Sequence, residues 1–256
     1  MKFRTGLFIA AGACVLAGAL IGGIAAANGG WIADKGTRHE EKITSDILKL
    51  NVLVSMGDIT VVCGDKDYIK VVYYETEKKK CDIIKDNNTL TIKSNNERMK
   101  WYDYIGNFHG NDVLLEIPKG FLGDINLESK MGDVDVSGAE GNINITSSYG
   151  DIAVSSCSTP NLTCLNKCGD VDIENVSGSI EVNSKKGDIE FKNISGNISL
   201  KNDLGDIEGT ILGREDEYTI NADTKLGDSN IRSKAGGSKK LDIQNDCGDI
   251  EVKFVG

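Results

Sequence analysis

Gly150-Asp151-Ile152-Ala153-Val154, Gly169-Asp170-Val171-Asp172-Ile173, Gly187-Asp188-Ile189-Glu190-Phe191 and Gly205-Asp206-Ile207 repeat one motif down the C-terminal half of the chain. Working outward, Gly132-Asp133-Val134-Asp135-Val136 and the degenerate Gly227-Asp228 and Gly248-Asp249 extend the series. Between them lie copies in which Asn or Ser replaces Asp: Gly141-Asn142-Ile143, Gly178-Ser179-Ile180 and Gly196-Asn197-Ile198, with Pro160-Asn161 as a substitute. The beat is about nine residues and the true unit is a pair, so one coil of about 18 residues holds two short strands and two turns. Within each strand apolar, polar, apolar has the period of two of a sheet with one buried face. Glycine supplies a corner conformation that a Cβ makes costly, and the following Asp or Asn bonds neighbouring backbone amides. The expected fold is all-β, a parallel β-solenoid.

Hexapeptide β-helices need an apolar residue every six, and calcium-binding nonapeptide solenoids place several glycines ahead of an Asp two positions before the apolar residue. Neither arrangement is present. In these Gly-Asp-Ile/Val repeats, over residues 45 to 256, the chain resembles the DUF4097 family of adhesin-like proteins. That resemblance implies a β-helix-like domain behind an N-terminal membrane segment and a non-catalytic role at the cell envelope. It implies no catalytic residues.

Four segments are expected: 1–27, 28–45, 46–122 and 123–256. In the first, Lys2 and Arg4 precede an apolar run from Gly6 to Ala27, long enough to cross a bilayer as one transmembrane helix and to leave the C-terminal domain outside the cytoplasm. A cleaved signal is the alternative, since Ala25-Ala26-Ala27 has an A-x-A pattern, although a run of about 22 residues exceeds a signal-peptide core. A lipoprotein signal at Cys14 lacks the large aliphatic residue expected before it. Residues 28–45 have the mixed charge and glycines of a linker. Residues 46–122 carry strand signals without the nine-residue beat, although Met56-Gly57-Asp58-Ile59 matches the repeats, and are expected to form irregular first coils and a cap. The last strand, Ile250 to Phe254, ends almost at the C-terminus and is expected to leave an exposed terminal edge, which either the last turn shields or a partner covers, with self-association through it one outcome.

The chain has 29 basic and 39 acidic residues, a formal net charge of −10, which argues against nucleic acid as partner. His39 and His109 lie outside the repeats, so no histidine there can activate a nucleophile, and an enzyme is not expected. No cofactor is expected. Asp135, Asp172, Glu190, Glu208 and Glu251 form one outward acidic stripe, a wet face at which weak divalent-cation binding is the alternative. The opposite outward face carries Asn126, Asn144, Thr163, Ser199 and Thr219, broken by Glu181 and Asp242, and suits a surface glycan or another strand-rich partner. Lys130, Lys167, Lys185 and Lys225 recur two residues before Gly, interrupted by Asp203 and Asp246.

The sharpest local anomaly is the insertion Trp101-Tyr102-Asp103-Tyr104-Ile105-Gly106-Asn107-Phe108. Trp101, Tyr102, Tyr104 and Phe108 are the candidate contact residues, because loops on rigid scaffolds often carry function; a cap over the apolar end is the other reading. The seven cysteines are expected to be free thiols. Cys168 and Cys247 hold equivalent positions about four coils apart, near 19 Å, too far to bond. Cys157 with Cys164 and Cys63 with Cys81 are the pairs to check. The expected partner is an envelope protein or surface glycan, and an accessory role in envelope-stress signalling is the rival function.

Overall fold

Ile143 and Ile145 are buried while Asn144 between them is exposed, and the same alternation repeats in strand after strand. Burying each such side chain contributes roughly 1.5–3 kcal/mol, and one coil alone has nothing to bury them against. The computed structural model describes residues 36–44, 46–76, 79–95 and 112–256, and within them the chain is all-β. The N-terminal segment and the aromatic insertion lie outside the described residues. Among the described residues no helix is long and apolar enough to cross a membrane.

The strands are β1 (Thr37–Ile43), β2 (Lys49–Val54), β3 (Ile59–Gly64), β4 (Ile69–Glu75), β5 (Lys80–Asp86), β6 (Thr89–Asn95) and β7 (Val113–Pro118). In the repeats follow β8 (Asp124–Ser129), β9 (Val134–Ser137), β10 (Ile143–Ser147), β11 (Ile152–Ser155), β12 (Ser158–Asn166) and β13 (Val171–Glu174). The series ends with β14 (Ser177–Ser184), β15 (Ile189–Asn202), β16 (Ile207–Leu212), β17 (Tyr218–Leu226), β18 (Lys239–Cys247) and β19 (Ile250–Val255).

Two parallel ladders result. One runs β3, β9, β11, β13, the first part of β15, β16, β19. The other runs β2, β8, β10, β12, β14, the second part of β15, β18, β17. Each coil gives one strand to each ladder, as the 18-residue unit requires. The two rows of inward Ile, Val and Leu side chains share one core.

Stacking order departs from chain order at both ends. The coil β2–β3 lies between β6–β7 and β8–β9. At the other end β18–β19 is inserted between the β15–β16 coil and β17. The expected exposed edge at Ile250 to Phe254 is therefore not where it was placed. β19 is covered by a bridge from Ser229 and by Asn230, whose side chain bonds Val252. The outer layer is β17, and its free edge is covered in turn where Ile220 exchanges backbone hydrogen bonds with Lys234 and Ala222 bonds the Ser233 hydroxyl.

Residues 37–43, within the stretch expected to be linker, form β1, paired antiparallel with β4, which pairs antiparallel with β7. β5 and β6 form an antiparallel hairpin through Asn87 at φ 50°. Charged residues Arg38, Glu40 and Lys42 along β1 discourage further pairing at that edge.

A candidate interaction edge at the Gly-Asp turns

The Gly-Asp turns join the two ladders and stack on one another. Each glycine has positive φ, 132° at Gly169 and 124° at Gly187, and no room for a side chain: a Cβ on Gly187 would lie 2.1 Å from the Gly169 carbonyl oxygen. The Gly amide donates to the next layer, as Gly150 does to the Cys168 carbonyl at 3.0 Å.

The aspartates after these glycines form a chain of hydrogen bonds. The Asp58 carboxylate accepts from the Asp133 amide, Asp133 from Asp151, Asp151 from Asp170, Asp170 from Asp188 and Asp188 from Asp206, all at 2.8–2.9 Å. Asp206 accepts from Asp249, and Asp249 from Asp228, both at 2.8 Å. Asp112 begins the series by accepting from Asp58 at 3.1 Å. Each carboxylate thus satisfies a turn amide that the ladders leave over.

From inside, a buried polar row holds the same corner. Asn166, Asn202 and Asn245 donate at 2.8 Å to the carbonyls of Gly169, Gly187 and Gly205, and Ser129 donates to that of Gly132 at 3.1 Å. Turn amides and carbonyls are thus both engaged along the edge, which forms a hydrogen-bonded rail. This inner row was not anticipated, although Asn or Ser stands four residues before most of the aspartates, as at Ser129, Asn166, Asn202 and Asn245; at Ser147 and Ser184 the buried hydroxyl makes no such bond.

On this rail stands a row of side chains immediately before each glycine, buried at Met56, half-buried at Cys247 and exposed at the other positions. The hydrogen bonds from successive Gly amides order it as Met56, Met131, Tyr149, Cys168, Lys186, Leu204, Cys247, Leu226. Tyr149 is 63% exposed, Leu204 50% and Leu226 69%. Isolated exposed apolar residues need no explanation, but a row of them, broken here only by Lys186, does. One position earlier stand Lys130, Ser148, Lys167, Lys185, Asp203, Asp246 and Lys225, with Lys225 paired to Asp246 at 2.7 Å. The lysine row expected from the sequence is therefore real, and it borders an apolar row on whose other side run the aspartates.

The candidate contact residues Trp101, Tyr102, Tyr104 and Phe108 lie outside the described residues. Their flanks do not: Ser94 bonds the Ser55 amide and Asp112 opens the aspartate series, so the insertion leaves and rejoins the fold at this same edge.

The acidic stripe runs on adjacent strands, Asp135, Ala153, Asp172, Glu190, Glu208 and Glu251. Burial, aided by Asp133 and Asp58, pushes the Asp135 carboxyl up to about 6. Burial and neighbouring carboxylates also raise Glu190. Among the described residues no three His, Cys, Asp or Glu side chains converge to hold a metal ion. On the opposite face Asn144 donates to Asn126 and Asn126 to Asn51, each at 3.1 Å. Thr219 is not part of this row. It stands opposite Lys240, and in the register of β17 on β18 Asn221 takes the place beside Asp242.

The six cysteines among the described residues are free, including both pairs singled out from the sequence. Cys168 and Cys247 are three layers apart, about 14 Å, not four, again because of the inserted coil. Cys164 is fully buried beside Ile145 and Val182, as a small apolar residue. His39, the histidine among the described residues, stacks on Tyr73 at 5.1 Å.

A family model described as Toastrack DUF4097 matches residues 47–255. The chain belongs to the Toastrack DUF4097 family. No curated protein matches this Toastrack chain. Among solved structures it is similar to a candidate adhesin of Bacteroides fragilis, at 13% identity and TM-score 0.46, covering 85% of this chain and 96% of that one. It is also similar to a candidate cell adhesion protein of Clostridium sporogenes, at 15% identity and TM-score 0.38, covering 86% and 99%. A candidate lipid-binding protein of Parabacteroides distasonis has 15% identity and TM-score 0.30, covering 85% and 96%.

Proposed function

We propose that this Toastrack chain is a non-catalytic binding module of the cell envelope, a β-solenoid held at the membrane by residues 1–27 and facing outward, with the Gly-Asp turn edge as its contact surface. The exposed row Met131, Tyr149, Cys168, Leu204 and Leu226 on a hydrogen-bonded rail carries this reading. Apolar area held rigid loses little entropy on binding, and the flanking charges give register. Tyrosine is favoured in such surfaces because it presents a large rigid contact. The acidic and amide faces are engaged differently: Asn side chains bond one another, and the acidic stripe is crowded with like charge.

An adhesin-like role and an accessory role in envelope-stress signalling make different predictions for what touches this edge. Cross-linking of the full-length protein in intact cells separates them. Adducts with wall polymer or foreign surface proteins support adhesion, and adducts with a membrane sensor support signalling. A protein that gives no adduct with any envelope component contradicts both.

A further inference from the structure

The rail presents three parallel rows: lysines, then the apolar row, then aspartates. Such a surface is complementary to itself in one orientation only. A two-fold axis across the stack, which sets two copies antiparallel, places lysine row against lysine row. A two-fold axis along the stack places the lysine row of each copy against the aspartate row of the other.

We propose that two copies of the chain associate side by side and parallel through this edge, about a two-fold axis that runs along the stack. The proposal rests on the reading of the edge as the contact surface and names its partner as a second copy. In this arrangement Lys130, Lys167 and Lys185 face Asp133, Asp170 and Asp188 of the second copy, giving six ion pairs by symmetry. Met131, Tyr149 and Cys168 each face their own counterpart across the axis. Lys186, which interrupts the apolar row, has the reach to join Asp188 of the second copy. Beyond it the match ends, since Asp203 and Asp246 would face Asp206 and Asp249, so the copies diverge at the Leu204 to Leu226 end.

The matched stretch spans four layers, about 14 Å from first to last. A strip of that length and three side chains wide covers well below the roughly 800 Å² per partner of a standard stable interface. The pair is therefore weak and concentration-dependent, and attachment of both chains to one surface would favour it. A parallel arrangement suits such attachment, because it brings the two N-terminal ends to the same end of the pair.

The test uses the full-length protein in its membrane, with Cys14→Ser and Cys247→Ser so that Cys168 is the thiol exposed on the edge. Mild oxidation is expected to give a disulfide-linked dimer through Cys168. Lys167→Glu, which turns two attractions into two repulsions, should lower its yield about tenfold, and so should high salt. In a Cys168→Ser chain, Tyr149→Cys and Met131→Cys should each cross-link to themselves, because every level faces its own copy. A Cys168 dimer without those two indicates antiparallel contact and overturns the proposal, as does the absence of any cross-link. If self-cross-links are absent while the edge still forms adducts with other envelope components, the dimer alone is wrong; if both are absent, the edge is not a contact surface.

Discussion

Asp249 donates its backbone amide to the Asp206 carboxylate at 2.8 Å although 43 residues separate them, whereas Asp188 and Asp206 make the same bond across 18. The longer interval is the last coil slotting in ahead of β17. Leu204 and Cys247 are then neighbours on the rail, while Leu204 and Leu226 are two layers apart.

The order of the coils can be read chemically. A Leu204→Cys chain is expected to form a disulfide with Cys247 on mild oxidation, since adjacent parallel strands lie about 4.8 Å apart, within disulfide reach. Leu204→Cys with Leu226→Cys and Cys247→Ser is expected to form none. Peptide mapping without reduction distinguishes the two, and the opposite pattern would mean that the coils stack in chain order.

Asp170 tests the aspartate series. Its carboxylate accepts from the Asp188 amide at 2.8 Å, so Asp170→Ala should cost about 1–2 kcal/mol in denaturant unfolding. Asp170→Asn keeps an acceptor and removes one like charge, and should cost much less. Equal losses for Ala and Asn would show that the charge, not the acceptor, matters.

Gly187 and Gly236 separate crowding from backbone strain. Both have positive φ, 124° and 127°, but a Cβ on Gly187 meets the Gly169 carbonyl whereas nothing lies within 4 Å of one on Gly236. Gly187→Ala should destabilise by about 3 kcal/mol or more and Gly236→Ala by about 1 kcal/mol, measured by thermal unfolding.

The acidic stripe predicts a pH dependence. The Asp135 carboxyl sits near 6 in the fold, against about 3.9 in the unfolded chain, so the folded state binds more protons between these values. Stability should fall as pH rises from about 4 to above 6, by about 1–2 kcal/mol from this group once solvent screening is allowed for. Asp135→Asn should flatten that part of the profile and raise the melting temperature at pH 7.5. An unchanged profile would place Asp135 in water.

The repeat, its 18-residue unit and the inward positions were legible because burial on one face of a strand leaves a period-two signature, as at Ile143, Asn144 and Ile145. Coil order was not legible. Every copy offers the same hydrogen-bonding edge, so the pattern around Asp206, Asp228 and Asp249 is silent on which neighbour each takes. The exposed row before the glycines was missed for a different reason: Met131, Tyr149, Cys168 and Leu204 share no residue type, and only the register shows that they form a line. The strand β1 was hidden because Thr37–Ile43 lies at an edge and buries none of its side chains fully.

The claim that the Gly-Asp edge is the contact surface is tested most directly by placing a photo-reactive side chain at Tyr149, and separately at Asn144 on the amide face, in the full-length protein in intact cells. Covalent adducts from position 149, with few from position 144, are predicted. Adducts from 144 that equal or exceed those from 149 would contradict it.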